Sequence, residues 1–405
     1  MARQSGFGRT VVTQRVQQLL DSGLLEEGAL APSTGGRAPR ELRFCADAGH
    51  LLVAEVGARS LEVAVTDLNG ALLHRQRGDG DVTRGPDYGL GQVEAMFDAA
   101  LAARPASAPP IWGIGVSVPG PVEFATGQPV APPIMPGWDR YPIRERLAQR
   151  CRVPVWVDND VNLMALGELR SGLARGEQDV LYIKIGTGVG AGLVSGGRLH
   201  RGAQGCAGDV GHVAVLDDPT IVCRCGNIGC LEALAGGAAL AREATAAAGS
   251  GRSRVLAELA GAGRPLDARD VSTAAQHGDP FSVELLTRSG ERVGAMLATL
   301  VNFYNPSLII IGGGVAEAGD LLLAAIRQVV YWRSSPLATR NLRIVQSPLS
   351  STAGLIGASA MVVDELFSRR LLGRWLGSGS PAGKPELARA AGAPTLTTAL
   401  DTVRA

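Results

Sequence analysis

Residues 180–202 read VLYIKIGTGVGAGLVSGGRLHRG, and residues 51–75 read LLVAEVGARSLEVAVTDLNGALLHR. Both follow one plan: an apolar strand, a glycine turn, a second strand, a tight Gly-Gly or Asn-Gly turn, and a third strand. Gly57 falls opposite Gly186. Two copies of one supersecondary unit predict two similar lobes facing each other across a cleft. IWGIGVSVPG (111–120) and SLIIIGGGVAEAG (307–319) add two more apolar strands that run into glycine turns. After the second, Gly312–Gly314 precede the helical run AEAGDLLLAAIRQVVYW, whose first amides could face a phosphate or a ribose.

Around these units lie 405 residues, 46% hydrophobic, with a formal net charge of +1. That length suggests more than one domain, and that balance predicts a soluble globular protein, with any basic patch being local. MARQSGFGRT lacks an apolar signal core. The stretch LATLVNFYNPSLIIIGGGV is broken by Asn302, Asn305 and Pro306, so it reads as a buried helix followed by a strand and not as a membrane span. A cytoplasmic location is expected, which makes clustered cysteines metal ligands before disulfides. Residues 45–372 alternate glycine-punctuated strands with alanine-rich helices, an α/β pattern. From about 373 to 405 hydrophobicity falls and small residues and prolines accumulate, so a disordered tail is expected.

The most specific chemistry lies in GHVAVLDDPTIVCRCGNIGCLEA (211–233). His212, Cys223, Cys225 and Cys230 supply one imidazole and three thiolates, the four-coordinate set that closes a structural zinc site. VWVDNDVNLMALGE (155–168) is an apolar strand that ends in Asp158-Asn159-Asp160 and enters a helix. Carboxylates at such a strand end project into the cleft of an α/β fold. One of them could deprotonate a hydroxyl that attacks phosphorus, or hydrogen-bond a polyol; the other role open to an acid here is helix capping.

Residues 45–372 resemble the ROK family of repressors, open reading frames and kinases, which have the bilobal actin-like ATPase (ribonuclease H-like) fold. The likeness rests on the zinc signature, on DNDVNLMALGE, IGTGVGAGLV and SVPG, and on IIIGGGVAEAG. It implies that Asp160 matches the kinases' general base. It also implies that Asn159, Asp160, Asp209, His212 and Glu232 contact a sugar, Asp209 standing where the family carries glutamate. Gly57, Gly186, Thr187, Gly188, Gly313 and Gly314 then match the nucleotide loops. Family kinases carry Asp-x-Gly-Gly-Thr-Lys or similar at the first loop. Here Glu55-Val56-Gly57-Ala58-Arg59-Ser60 replaces it, lengthening the acid, adding a Cβ and exchanging a hydroxyl for a bulky cation. Since a misplacement near 1 Å can cost ~10²-fold, efficient phosphoryl transfer is not expected. Lys184 is expected on the surface of its strand.

Ahead of this domain, residues 1–44 hold six arginines against four acids. Gly8 is a candidate N-cap for a helix over Arg9–Asp21, with Val12, Val16, Leu19 and Leu20 on one face. Arg9, Thr10, Thr13 and Gln14 occupy the other, suited to base edges and phosphates. STGGRAPRELRF resembles the wing of the winged-helix domains on ROK repressors, with Arg37 placed for a minor groove. The segment therefore reads as part of a winged helix-turn-helix. It lacks a first helix, which points to a start codon upstream of Met1. The reading that follows is a sugar-responsive transcriptional regulator, a non-catalytic repressor. Its expected partners are operator DNA and a sugar or sugar phosphate; its expected form is a homodimer or homotetramer with structural Zn²⁺. The alternative is a sugar kinase of the glucokinase or N-acetylmannosamine kinase type, for which ATP and Mg²⁺ would be the cofactors.

Overall fold

The computed structural model describes residues 6, 8–30, 40–261, 263–316 and 319–391. Arg37 and the tip of the expected wing lie outside them. The helix Arg9–Asp21 begins after Gly8, whose carbonyl accepts from Val12 N, and ends before Gly23, at φ +73°. Strands β1 (Leu25–Leu30) and β2 (Arg40–Phe44) then pair antiparallel.

The first lobe contains β3 (His50–Val56), β4 (Ser60–Asp67), β5 (Leu72–Asp79), β6 (Ile111–Val118), a short hairpin of β7 (Val122–Glu123) and β8 (Gln128–Pro129), and β9 (Val155–Asn159). The second lobe contains β10 (Val180–Ile185), β11 (Val189–Ser195), β12 (Arg198–His200), β13 (Leu308–Gly312) and β14 (Arg343–Gln346). The main sheets run β5-β4-β3-β6-β9 and β12-β11-β10-β13-β14. In each, an antiparallel three-stranded meander is continued by two parallel strands. The two orders are the same, so the repeat seen in the sequence extends beyond the meanders to whole sheets.

The central strands of each sheet are buried on both faces, which their nearly continuous apolar runs require, while the edge strands β5 and β12 are largely exposed. Leu52, Ala54, Ile114 and Val155 pack outward against the helix Pro86–Ala102, whereas Leu181, Ile183 and Ile309 pack against the helix Pro280–Tyr304. The opposite faces meet a central layer formed by helices Asp160–Ser171 and Ala353–Leu366. These two cross closely because glycines lie at the crossing: a Cβ at Gly357 would stand 1.7 Å from the Leu163 carbonyl oxygen. A larger residue there would push the lobes apart.

The expected disordered tail needs correction. Residues to 391 are ordered, with helices Leu372–Trp375 and Leu387–Ala391. Trp375 is fully buried, and its Nε1 donates to the Leu366 carbonyl. Phe44, Phe367, Trp375 and Trp112 form a run of edge-to-face rings with centroids 5.9, 5.6 and 5.2 Å apart. Low average hydropathy concealed a few large anchors. Residues 392–405 lie outside the described residues.

Candidate functional site

Between the lobes lies a cleft of about 1500 Å³. Glu55, Asn159, Asp160, Lys184, Asp209, His212 and Glu232 line it, as do the loops at Gly57, Gly186–Gly188 and Gly313–Gly314. All the expected sugar and nucleotide-loop residues therefore converge, though with unequal freedom to bind a ligand.

Asn159 caps the helix Asp160–Ser171: its Oδ1 accepts from Val161 N at 2.9 Å and Asn162 N at 3.3 Å, while its Nδ2 donates to Gly120 O at 3.0 Å. The capping role considered for an acid thus falls to the amide between them. Asp158 is buried and accepts from Asn162 Nδ2 at 3.0 Å and Arg201 Nε at 2.7 Å. Arg201 follows β12 of the second lobe and stacks over Phe124 of the first, so this pair joins the lobes. Asp160 faces the cleft.

Lys184 corrects the sequence reading. It is not on the outer surface; it lies on the cleft floor with its Nζ donating to Asp160 Oδ2, the Lys184 side chain 21% exposed and Asp160 6%. Burial acts to lower its pKa, but Asp160 and Glu55 hold it above the ordinary lysine value. Glu55, on the facing strand β3, has one buried oxygen without a hydrogen-bond partner. Burial pushes its carboxyl up to about 7, against the pull of Lys184. The scarcity of lysine, found only at positions 184 and 384, was the one sequence signal for this residue.

The two glycine loops differ. At the second, Gly237 N and Ala238 N, opening the helix Gly237–Gly249, donate to the carbonyls of Gly186 and Thr187 at 2.7 and 3.1 Å. Glu232 accepts from Val189 N at 3.3 Å and pairs with Arg224 at 3.3 Å. Its carboxylate crowds Gly188, where a Cβ would lie 2.0 Å from Oε2. At the first loop Ala58 and Arg59 stand at the cleft wall, and Gly57 N donates to Ser60 O at 2.7 Å.

Donor atoms of His212, Cys223, Cys225 and Cys230 lie within 4.8 Å of one another. The Cys225–Cys230 sulfurs are 3.7 Å apart, and Cys223 Sγ is 3.6 Å from His212 Nδ1. Tetrahedral zinc with ~2.3 Å bonds needs sulfurs roughly 3.8 Å apart, so the set fits. Burial and the neighbouring thiols push Cys230 up to about 12; a bound cation is what would let the crowded sulfurs ionise together. His212 Nε2 lies on the other side of the ring, 3.9 Å from Asp209 Oδ1, so one imidazole can serve both the thiol cluster and the cleft.

The family model described as "ROK family" matches residues 52–365. The chain belongs to the ROK family. This ROK protein is 32% identical over 308 residues to the glucokinase of Halalkalibacterium halodurans, covering 76% of this chain and 93% of that protein. It is 29% identical over 364 residues to the xylose repressor of Caldicellulosiruptor bescii, covering 89% of this chain and 90% of the repressor. Among solved structures, a Streptomyces griseus ROK glucokinase in complex with glucose and AMPPNP superposes with a TM-score of 0.67 at 30% identity, covering 77% of this chain and 99% of that one. A ROK family transcriptional regulator, a homologue of the E. coli Mlc protein, superposes with a TM-score of 0.75 at 25% identity, covering 96% of this chain and 93% of that one. The fold is thus the bilobal α/β architecture shared by ROK kinases and regulators. No helix among the described residues is long and apolar enough to cross a membrane.

Proposed function

We propose that this ROK protein is a sugar-responsive transcriptional regulator, a repressor that binds operator DNA through its N-terminal segment and a sugar or sugar phosphate in the cleft. One observation carries the reading. The helix Arg9–Asp21 and the β1–β2 hairpin precede the family domain, in a segment too long for an alignment covering 96% of the chain to leave out whole. The glucokinase likenesses stop at 76–78% of the chain. Arg9, Thr10, Thr13 and Gln14 are exposed on that helix, available for phosphates and base edges. In the cleft, Asp160, Asp209 and His212 Nε2 offer hydroxyl-binding groups. The altered first loop and the Lys184–Asp160 pair count against phosphoryl transfer.

A zinc ion held by His212, Cys223, Cys225 and Cys230 would fix the loop that presents His212 and Glu232 to the ligand. A homodimer or homotetramer would place two N-terminal helices on a palindromic site, and sugar binding would alter their spacing by changing lobe closure. A cytoplasmic location goes with this role.

The kinase alternative is favoured by 32% identity to a glucokinase and by the presence of Asp160 and Gly186–Gly190 in the cleft. Fluorescence anisotropy with DNA from the protein's own promoter, with and without a hexose and pentose panel, tests the proposal. Binding at physiological salt that one sugar alters is expected. Absence of specific binding, together with hexose phosphorylation from Mg-ATP near ~10 s⁻¹, would overturn it.

A further inference from the structure

Glu55 and Lys184 hold equivalent places in the two repeats, each two residues before the first glycine of its loop, Gly57 and Gly186. Strand alternation turns both toward the central layer. Glu55 shares its face of β3 with Leu51 and Val53, and Lys184 shares its face of β10 with Val180 and Tyr182. Asp160 reaches the same place from the first turn of its helix and binds the Lys184 ammonium. Glu55 Oε2 is buried beside Gly354 without a partner. The cleft floor beneath both glycine loops therefore carries two carboxylates and one ammonium.

Two carboxylates between phosphate-sized loops form the hard oxygen set that a divalent cation takes. An ammonium there supplies a fixed positive charge, occupies an Asp160 oxygen and repels a second cation. We propose that Lys184 is a resident cation standing in place of a divalent metal, so that the cleft binds its sugar without metal and Asp160 is disabled as a base. This deepens the regulator reading and rests on it. The Asp160 oxygen that accepts from the Lys184 ammonium is occupied, and so is not free to take the proton of a sugar hydroxyl. The elevated lysine pKa agrees, since the side chain stays charged at neutral pH.

Mn²⁺ serves as the probe, its free concentration followed by electron paramagnetic resonance in zinc-loaded full-length chain. The variants are Lys184→Ala, Lys184→Met, which keeps the side-chain bulk, and Lys184→Ala with Glu55→Gln; circular dichroism checks their folding. Each single Lys184 variant is expected to bind Mn²⁺ at least about tenfold more tightly than wild type, and the double variant to lose that gain. A folded Lys184 variant without the gain would overturn the proposal. So would a wild-type Mn²⁺ site that Glu55→Gln alone removes, a result that needs no Lys184 variant to fold. DNA binding is scored separately: if it is absent while the Mn²⁺ gain appears, the regulator reading fails and the role of Lys184 stands.

Discussion

Replacing Glu55 by glutamine isolates the cost of one buried charge. The Glu55 carboxyl has a folded-state pKa of about 7 against an ordinary 4.5, chiefly because it is desolvated, with Lys184 opposing the shift. At about 1.36 kcal/mol per pKa unit the difference is worth about 3 kcal/mol. A raised carboxyl holds its proton more tightly when folded. Its contribution is therefore complete below the unfolded pKa of 4.5 and lost as the pH climbs through about 7. Glutamine is neutral throughout and removes that slope. Linkage places about 2 kcal/mol of the loss between about pH 5.5 and pH 8. Urea unfolding of both proteins at those two pH values, with zinc saturating, measures it. The stability difference should move by about 2 kcal/mol in favour of the glutamine variant on going to the higher pH. A difference that stays constant, or moves the other way, would refute the assignment of a buried Glu55 whose carboxyl pKa is raised by desolvation.

Cys225→Ser should lower bound zinc from about one ion per chain to near zero, read by metal analysis, and lower the melting temperature, as expected where metal binding and loop folding are coupled. Asp158→Ala strands the Arg201 guanidinium against Phe124 and should cost about 3 kcal/mol in urea unfolding, whereas exposed pairs such as Arg254–Glu258 should cost almost nothing when broken. Trp375→Ala empties a fully enclosed site between Trp112 and Phe367 and should cost about 3–5 kcal/mol; an unchanged unfolding midpoint would contradict its place in the core.

The repeat around Gly57 and Gly186 was legible because a meander writes its turns and its alternation into adjacent residues. The spacing of His212, Cys223, Cys225 and Cys230 was legible for a similar reason: short-range geometry brings their donor atoms together. Lys184 was not. Alternation sets it apart from Leu181, Ile183 and Ile185, which face the second lobe's own core. It cannot reveal that the opposite face is covered by a helix from residues 160–171, and an apparently exposed position became the floor of a cleft. The hydrogen bonds of Asn159 were not legible either: it lines the cleft, and it also caps its helix at Val161 N and holds Gly120 O. The C-terminal segment misled by averaging, since Trp375, Leu387 and Ala388 are few among many small residues yet all are buried.

The aromatic run from Phe44 to Trp112 joins places that are distant in the chain. Leu24, just beyond the N-terminal helix, is buried in the same cluster as Leu355, Met361, Trp375 and Leu387. The element proposed to read DNA is splinted to the central layer by the chain's own far end, without a slack tether between them. Torque on the Ala353–Leu366 helix would reach it directly, through the shared packing of Trp375 and Leu387.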